Sequence, residues 1–235
     1  MLKIRYLLIA LVIFLLAAVS LRFDFVSAEE PYLFDNFESY EVGTFPSSGG
    51  WKLIHSGWES TYQAIDNAAA VSGKQSLRLE GAADWPATIQ RDYPLPEPKP
   101  NIIYYECSVK VTRMQKPVTW KHDFRIWAGE TYGDSYCFGL VGFQPRKTDG
   151  KEYITFRSWD EFWGPEVELG KWYKIKVKLD LANDVGSLWL DDKPVFSDVP
   201  MGTKDNFYFA PAVTIEGGDD CRTRVWLDDV RFYSS

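Results

Sequence analysis

From Trp172 to Asp180 the chain alternates without a break: Tyr173, Ile175, Val177 and Leu179 are apolar, and Lys174, Lys176 and Lys178 are charged. A helix would scatter the two kinds around its axis, whereas a strand sends successive side chains to opposite faces. The segment therefore reads as a strand with one apolar and one wet face. A sheet made of such strands must bury its apolar face against another layer.

The same period recurs. Tyr105, Cys107, Val109 and Val111 share one side of a strand over Tyr104 to Thr112. Phe124 and Ile126 oppose Arg125 and Trp127, and Leu188 and Leu190 oppose Trp189. Further strands are expected over Asp35 to Glu38, Ser76 to Glu80, Tyr136 to Phe143, Tyr153 to Arg157, around Val195-Phe196, Phe207 to Ile215 and Arg222 to Tyr233. Turn signals separate them: Asn183-Asp184 with Gly186, Asp191-Asp192-Lys193-Pro194, and Lys147-Thr148-Asp149-Gly150. The stretch Pro94 to Pro100 is a loop, because proline cannot sit in a central strand. No long segment has helical period. Ten or more short strands at this spacing predict an all-β, two-sheet antiparallel sandwich of jelly-roll type, with residues 29–235 forming one domain.

The first 28 residues read as an export signal: Lys3 and Arg5, an uncharged run from Tyr6 to Leu21, then Val26-Ser27-Ala28 before Glu29. The run is about 16 residues, short of the roughly 20 that span a bilayer, and Arg22 and Asp24 block its extension. A cleaved signal and a retained anchor both stay open, and either places the rest outside the cell, secreted or at the surface. The net charge of −7 disfavours nucleic acid and anionic lipid as partners, and weakens the case for a polyanionic substrate except at a local basic patch. Cys107, Cys137 and Cys221 allow one disulfide at most; Cys107 faces inward by parity. No cysteine or histidine spacing resembles a zinc site.

Four motifs carry a resemblance. They are Phe34-Asp35-Asn36-Phe37-Glu38-Ser39 followed by Gly43-Thr44-Phe45-Pro46 and Trp51, Val71-Ser72-Gly73-Lys74-Gln75-Ser76-Leu77-Arg78-Leu79, Gly170-Lys171-Trp172-Tyr173-Lys174-Ile175-Lys176-Val177, and Val225-Trp226-Leu227-Asp228-Asp229-Val230-Arg231-Phe232. In their order and spacing they resemble the concanavalin A-like and laminin-G-like jelly-roll superfamily and carbohydrate-binding modules of the family 4, 9 and 22 type. The resemblance covers nearly all of the chain after the signal, and it implies a fold more than a function. It also implies a structural calcium ion, held by Glu38 of a first strand and Asp228 of the last, with Asp229 beside it. It places Trp172 among core aromatics. Gly217-Gly218-Asp219-Asp220 is a weaker acidic loop of the same kind.

Sugar rings present flat C–H faces that stack on exposed indoles, while a few polar groups fix the hydroxyls. Outward parity nominates Trp127 with Arg125, Trp189 and Trp226; loop positions add Trp58, Trp85, Trp159 and Trp163. Against each stands the ordinary fate of tryptophan, which is burial. The Glu-x-Asp-x-x-Glu strand of jelly-roll glycosidases is absent, and Glu166 and Glu168 read as the surface start of a strand. A lyase would draw on His122, Arg125 and Tyr136. With only His55 and His122 in the chain, no Ser-His-Asp arrangement can be argued. The expectation is an exported, non-catalytic carbohydrate-binding protein whose partner is an oligo- or polysaccharide. A polysaccharide-active enzyme and an adhesive ectodomain recognising protein are the alternatives.

Overall fold

A computed structural model describes residues 31–95, 97–129, 138–157, 161–201, 212–219 and 221–234. One sheet contains β1 (Leu33–Asp35), β3 (Ala64–Asp66), β4 (Ser76–Gly81), β6 (Ile102–Arg113), β11 (Trp172–Asp180), β12 (Val185–Leu190), β13 (Lys193–Pro200) and β15 (Thr223–Ser234). The other contains β2 (Lys52–Ser56), β5 (Ala87–Asp92), β7 (Phe124–Ala128), β8 (Phe138–Pro145), β9 (Glu152–Arg157), β10 (Glu161–Glu166) and β14 (Ala212–Gly217). The first runs β13-β12-β11-β6-β15-β4-β3, with β1 also on β15; the second runs β10-β9-β8-β7-β14-β5-β2. Every pairing is antiparallel. This is the two-sheet sandwich that the alternation predicts.

The inward halves of the alternating strands make one core. Tyr105, Val109, Ile175, Val177, Leu227 and Phe232 of the first sheet and Phe124, Ile126, Val141, Phe143, Ile154 and Ile215 of the second are buried together. Each such side chain contributes about 1.5–3 kcal/mol by leaving water. The strand β15 keeps its apolar positions inward by a bulge between Asp228 and Arg231, with Asp229 at φ 49°. Val225 and Leu227 face the core before it and Val230 and Phe232 after it. Without the extra residue the second half would turn its apolar side to solvent.

The structure corrects several expectations. The strand placed over Asp35 to Glu38 ends at Asp35, because Phe37 adopts φ 60° and its N–H bonds the Asp35 carboxylate (2.9 Å). Asp35 also accepts from Tyr40 Oη (2.7 Å) and Trp51 Nε1 (2.9 Å) and pairs with Arg91 (3.1 Å), so this turn is anchored inside the sandwich. Glu38 is therefore a turn residue. Trp172 is half-buried and shares the outward side of β11 with the lysines, opposite Lys110, rather than the core. Cys107 is a buried free thiol, its pKa pushed up by desolvation; Cys221 is also buried, while Cys137 lies outside the described residues. Residues 1–28, the expected signal, lie outside them as well.

Candidate functional site

The registers of the second sheet place one outward residue from every strand in a single line. Trp163 on β10 lies beside Thr155 on β9, then come Gly142 on β8, Arg125 on β7, Glu216 on β14, Thr88 on β5 and His55 on β2. Strands sit about 4.8 Å apart, so the row is about 29 Å long. Apart from the glycine and the tryptophan at its end, every member is polar. Thr88, Thr155 and Glu216 are buried although they point away from the core. Polar side chains at that depth need partners, and they have them. His55 Nδ1 lies 3.1 Å from Thr88 Oγ1, which donates to Glu216 Oε2 at 3.3 Å, and Glu216 Oε1 accepts from Arg125 Nε at 2.8 Å. Arg125 Nη2 also pairs with Glu216, and it lies 3.6 Å from Asp219.

Gly142 leaves the space that His122 fills. A Cβ there would fall 2.2 Å from His122 Cδ2, so any other residue would expel the imidazole. His122 Nε2 lies 3.1 Å from Thr155 Oγ1 and 3.7 Å from Glu161. Thr155 donates to the Gly142 carbonyl (3.4 Å), which leaves its oxygen to accept from His122 Nε2–H. Burial, helped by the positive charges of Arg125 and Arg157, lowers the imidazole pKa to about 3, so His122 is neutral at ordinary pH. Burial raises Glu161 above the ordinary carboxylate range, against the pull of Arg157.

The tryptophans nominated by parity do not form one platform. Trp127 does point outward on β7, beside Thr214, but only 4% of it is exposed. Trp189 and Trp226 belong to the other sheet. Trp189 is half-buried beside Lys176, and Trp226, 7% exposed, lies between Lys110 and Arg78. Parity fixes the side of a strand but not what covers it, and that is why the expected shared face of Trp127, Trp189 and Trp226 fails. Trp85 (69% exposed) sits at the turn between β4 and β5, and Trp58 (56%) lies under Arg222. Trp163, 38% exposed, is the one nominated indole that stands in the polar row. It packs edge-on against Tyr153 and borders a groove of about 460 Å³ shared with Pro165, Pro194 and Phe196. That is a suitable volume for a small ligand or a short stretch of polymer. Trp159 and Tyr136 lie outside the described residues.

The carboxylates assigned to calcium have other partners. Glu38 Oε1 accepts the N–H groups of Lys74 (2.7 Å) and Gln75 (2.9 Å), which lower its pKa. Asp228 Oδ2 accepts those of Val71 and Ser72 (both 3.0 Å), Asp228 Oδ1 that of Asp229 (2.9 Å), and Asp229 Oδ1 the Ser72 hydroxyl (3.1 Å). A hard cation needs oxygen ligands, whereas the turn 71–75 offers these oxygens hydrogen donors. The set as it stands does not fit a calcium ion. Among the described residues no group of three or more His, Cys, Asp or Glu side chains could hold a metal. Asp219 of the acidic loop pairs instead with Lys121 (3.7 Å) and Arg125, and Asp220 lies outside the described residues.

Glu166 and Glu168 both lie at the surface. Glu166 ends β10 rather than starting a strand, and it pairs with Lys151 at 2.6 Å; Glu168 is an exposed loop residue. Glu161 and Glu216 stand on strands four apart, about 19 Å between their backbones, and Glu216 is already held by Arg125. His122 and Arg125 do meet on the second sheet, but Arg125 is neutralised by Glu216 and Asp219.

No family model matches the chain, and no curated protein matches it in sequence. Solved structures do. A sialidase superposes with TM-score 0.58 at 12% identity over 87% of this chain and 19% of its own, so the chain spans about a fifth of that protein's length. A carbohydrate esterase from a Shiga toxin-encoding bacteriophage superposes with TM-score 0.54 at 12% identity, covering 80% of this chain and 92% of that one. The carbohydrate recognition domain of Emp46p, in a metal-free form, gives 0.51 at 8% identity over 86% and 96%. At these identities the likeness is one of fold, and it joins this sandwich to proteins that bind or act on carbohydrate.

Proposed function

We propose that this chain is an exported carbohydrate-binding protein, secreted or held at the cell surface, that takes a glycan across the strands of its second sheet without cleaving it. The observation that carries the reading is the polar row from His55 to Trp163, in which the exposed Trp163 and the part-exposed Arg125 and His55 stand over the buried Thr88, Thr155 and Glu216. Hydroxyl, carboxylate, guanidinium and imidazole groups lie along one line, interlocked before any ligand arrives, with an open indole and a groove at one end. Such a line meets the needs of an extended polyhydroxylated polymer, and fixed donors and acceptors lose little freedom on binding. The sugar-binding and sugar-active proteins of the same fold support the ligand class. The engagement of Arg125 by Glu216 and Asp219 favours binding over cleavage.

Calorimetric titration with neutral plant, algal and bacterial oligosaccharides tests this. At least one should bind, Trp163→Ala should weaken it about tenfold, the loss of one stacked ring, and no reducing ends should appear. Absence of binding across the panel together with release of reducing ends or unsaturated products would refute it.

A further inference from the structure

The chain is acidic overall, at −7, yet the outward side of the first sheet is not. Lys174, Lys176 and Lys178 on β11, Lys110 on β6, and Arg224 and Arg231 on β15 all point there, among Glu80, Glu106, Asp180 and Asp228. Aromatic rings alternate with them. Lys176 Nζ lies 5.0 Å from the centre of the Tyr104 ring and 5.9 Å from those of Trp189 and Tyr233. Tyr104 and Tyr233 stack at 5.1 Å with 12° between their planes. Several of the cations have acidic neighbours: Lys174 has Asp192 at 2.9 Å, Lys176 has Glu106 at 3.7 Å and Lys178 has Asp180 at 3.4 Å. These are partly exposed pairs, which bind weakly and exchange readily.

Two positions on this face, Lys110 and Arg231, lack among the described residues the carboxylate that the others have. Lys110 meets no carboxylate at ion-pair distance among the described residues; its ammonium rests 5.3 Å from the centre of the Trp226 ring. Arg224 lies over the same ring at 5.7 Å, but the buried Glu80 carboxylate holds its guanidinium at 2.8 Å. The Trp226 indole N–H is buried and has no acceptor. A buried donor without a partner is uncommon in a folded protein. Here it lies beneath the Lys110 ammonium, carried on a flexible stem. One uncommitted positive charge and an unused N–H form a set that lacks one thing, an oxyanion.

We propose that the outward face of the first sheet is a second binding surface, separate from the polar row, and that its ligand is a polyuronate, a polysaccharide carrying a carboxylate on each ring. A ligand carboxylate draws Lys110 off the Trp226 ring and accepts the indole N–H. Neighbouring carboxylates meet the β11 lysines. The half-buried rings of Trp189, Tyr104 and Tyr233 then take the C–H faces of the sugars. A flat strand face suits an extended polymer. Complementary charge lets it recruit one despite the negative sign of the whole molecule.

The test titrates the full chain with polygalacturonate at low salt and at about 0.5 M salt, where exposed charges are screened. Binding is expected at low salt and should be lost at high salt. Lys110→Gln and Trp226→Phe, the second keeping a ring while removing the N–H, should each weaken it about tenfold, the loss of one charge-assisted bond. Lys176→Gln checks the face through a residue whose loss leaves the fold intact, and should weaken binding severalfold. Trp163→Ala should leave polygalacturonate binding unchanged, so that failure here and failure of the polar row can be told apart. The proposal is overturned if polygalacturonate does not bind, if Lys110→Gln and Lys176→Gln bind it like the parent, if Trp163→Ala abolishes it, or if phosphatidylglycerol vesicles bind in its place.

Discussion

The two outward faces of this sandwich come from the same alternating pattern and are built in opposite ways. On the second sheet, charge is consumed internally: Arg125 lies against Glu216 and Asp219, Thr88 bridges Glu216 to His55, and His122 is seated in the hollow of Gly142. On the first sheet, lysines rest on aromatic rings or at 2.9–3.8 Å from the exposed Asp192 and the largely buried Glu106 and Asp180, and the Trp226 N–H is unused. The first arrangement holds its polar groups in place before a ligand comes. The second keeps its groups free to change partners. A sheet face can thus prepare for a ligand either by order or by availability, and the two should respond differently to mutation, pH and salt.

The largest contrast should appear on deleting one charge from each face. Glu216→Ala leaves Arg125 without its main partner at a largely buried site, and chemical denaturation should show a loss of about 2–4 kcal/mol. If the loss were only a few tenths, the second sheet would not be the ordered face described here.

The turn clamp comes next. Asp228→Asn removes a carboxylate that accepts two backbone N–H groups and should cost about 1–3 kcal/mol. Because those oxygens already meet hydrogen donors, the melting temperature should be the same with calcium and with a chelator. A clear rise with calcium would restore the cation that the family resemblance implies.

Acid should then separate the faces. The folded His122 has its pKa lowered to about 3 from an ordinary 6.5, facing Arg125, Arg157 and Glu161. Between those two values the unfolded chain binds the extra proton, so the stability due to neutral His122 is complete above pH 6.5 and falls as the pH drops toward 3. The slope is about 1.4 kcal/mol per pH unit at most, or about 2 kcal/mol between pH 7 and 5. Glu161, with a raised pKa, works in the other direction where it titrates. His122→Gln should flatten the slope between pH 7 and 5; an unchanged slope would place the titration elsewhere. The smallest effect belongs to the open face, where Lys176→Gln should change stability by less than about 0.5 kcal/mol.

Much of the fold was legible in the sequence. The strand Trp172–Asp180 has the bounds that its alternation predicts, and Tyr104 to Thr112 falls one or two residues inside β6. Strands β2, β3, β5 and β10 escaped notice. The first two are short, and β10 carries Gly164-Pro165, a turn signal that an edge strand tolerates. The site was legible only in part. Arg125, His122 and Trp163 were nominated, but the row they stand in draws single residues from seven strands between His55 and Glu216. Alternation gives each residue its side of the sheet and says nothing of register, which long-range pairing decides. The outward Thr88, Thr155, Thr214 and Glu216 did carry a signal, since each is polar between apolar neighbours on its strand. Trp127 shows the converse, an outward position that the surrounding structure covers.

The most direct test of the account is to map a bound neutral oligosaccharide onto the protein by amide chemical-shift changes. The account predicts shifts along the row, at Thr88, Arg125, Thr155 and Trp163, with the β11 lysines silent. Shifts confined to the outward face of the first sheet, or none on either sheet, would contradict it.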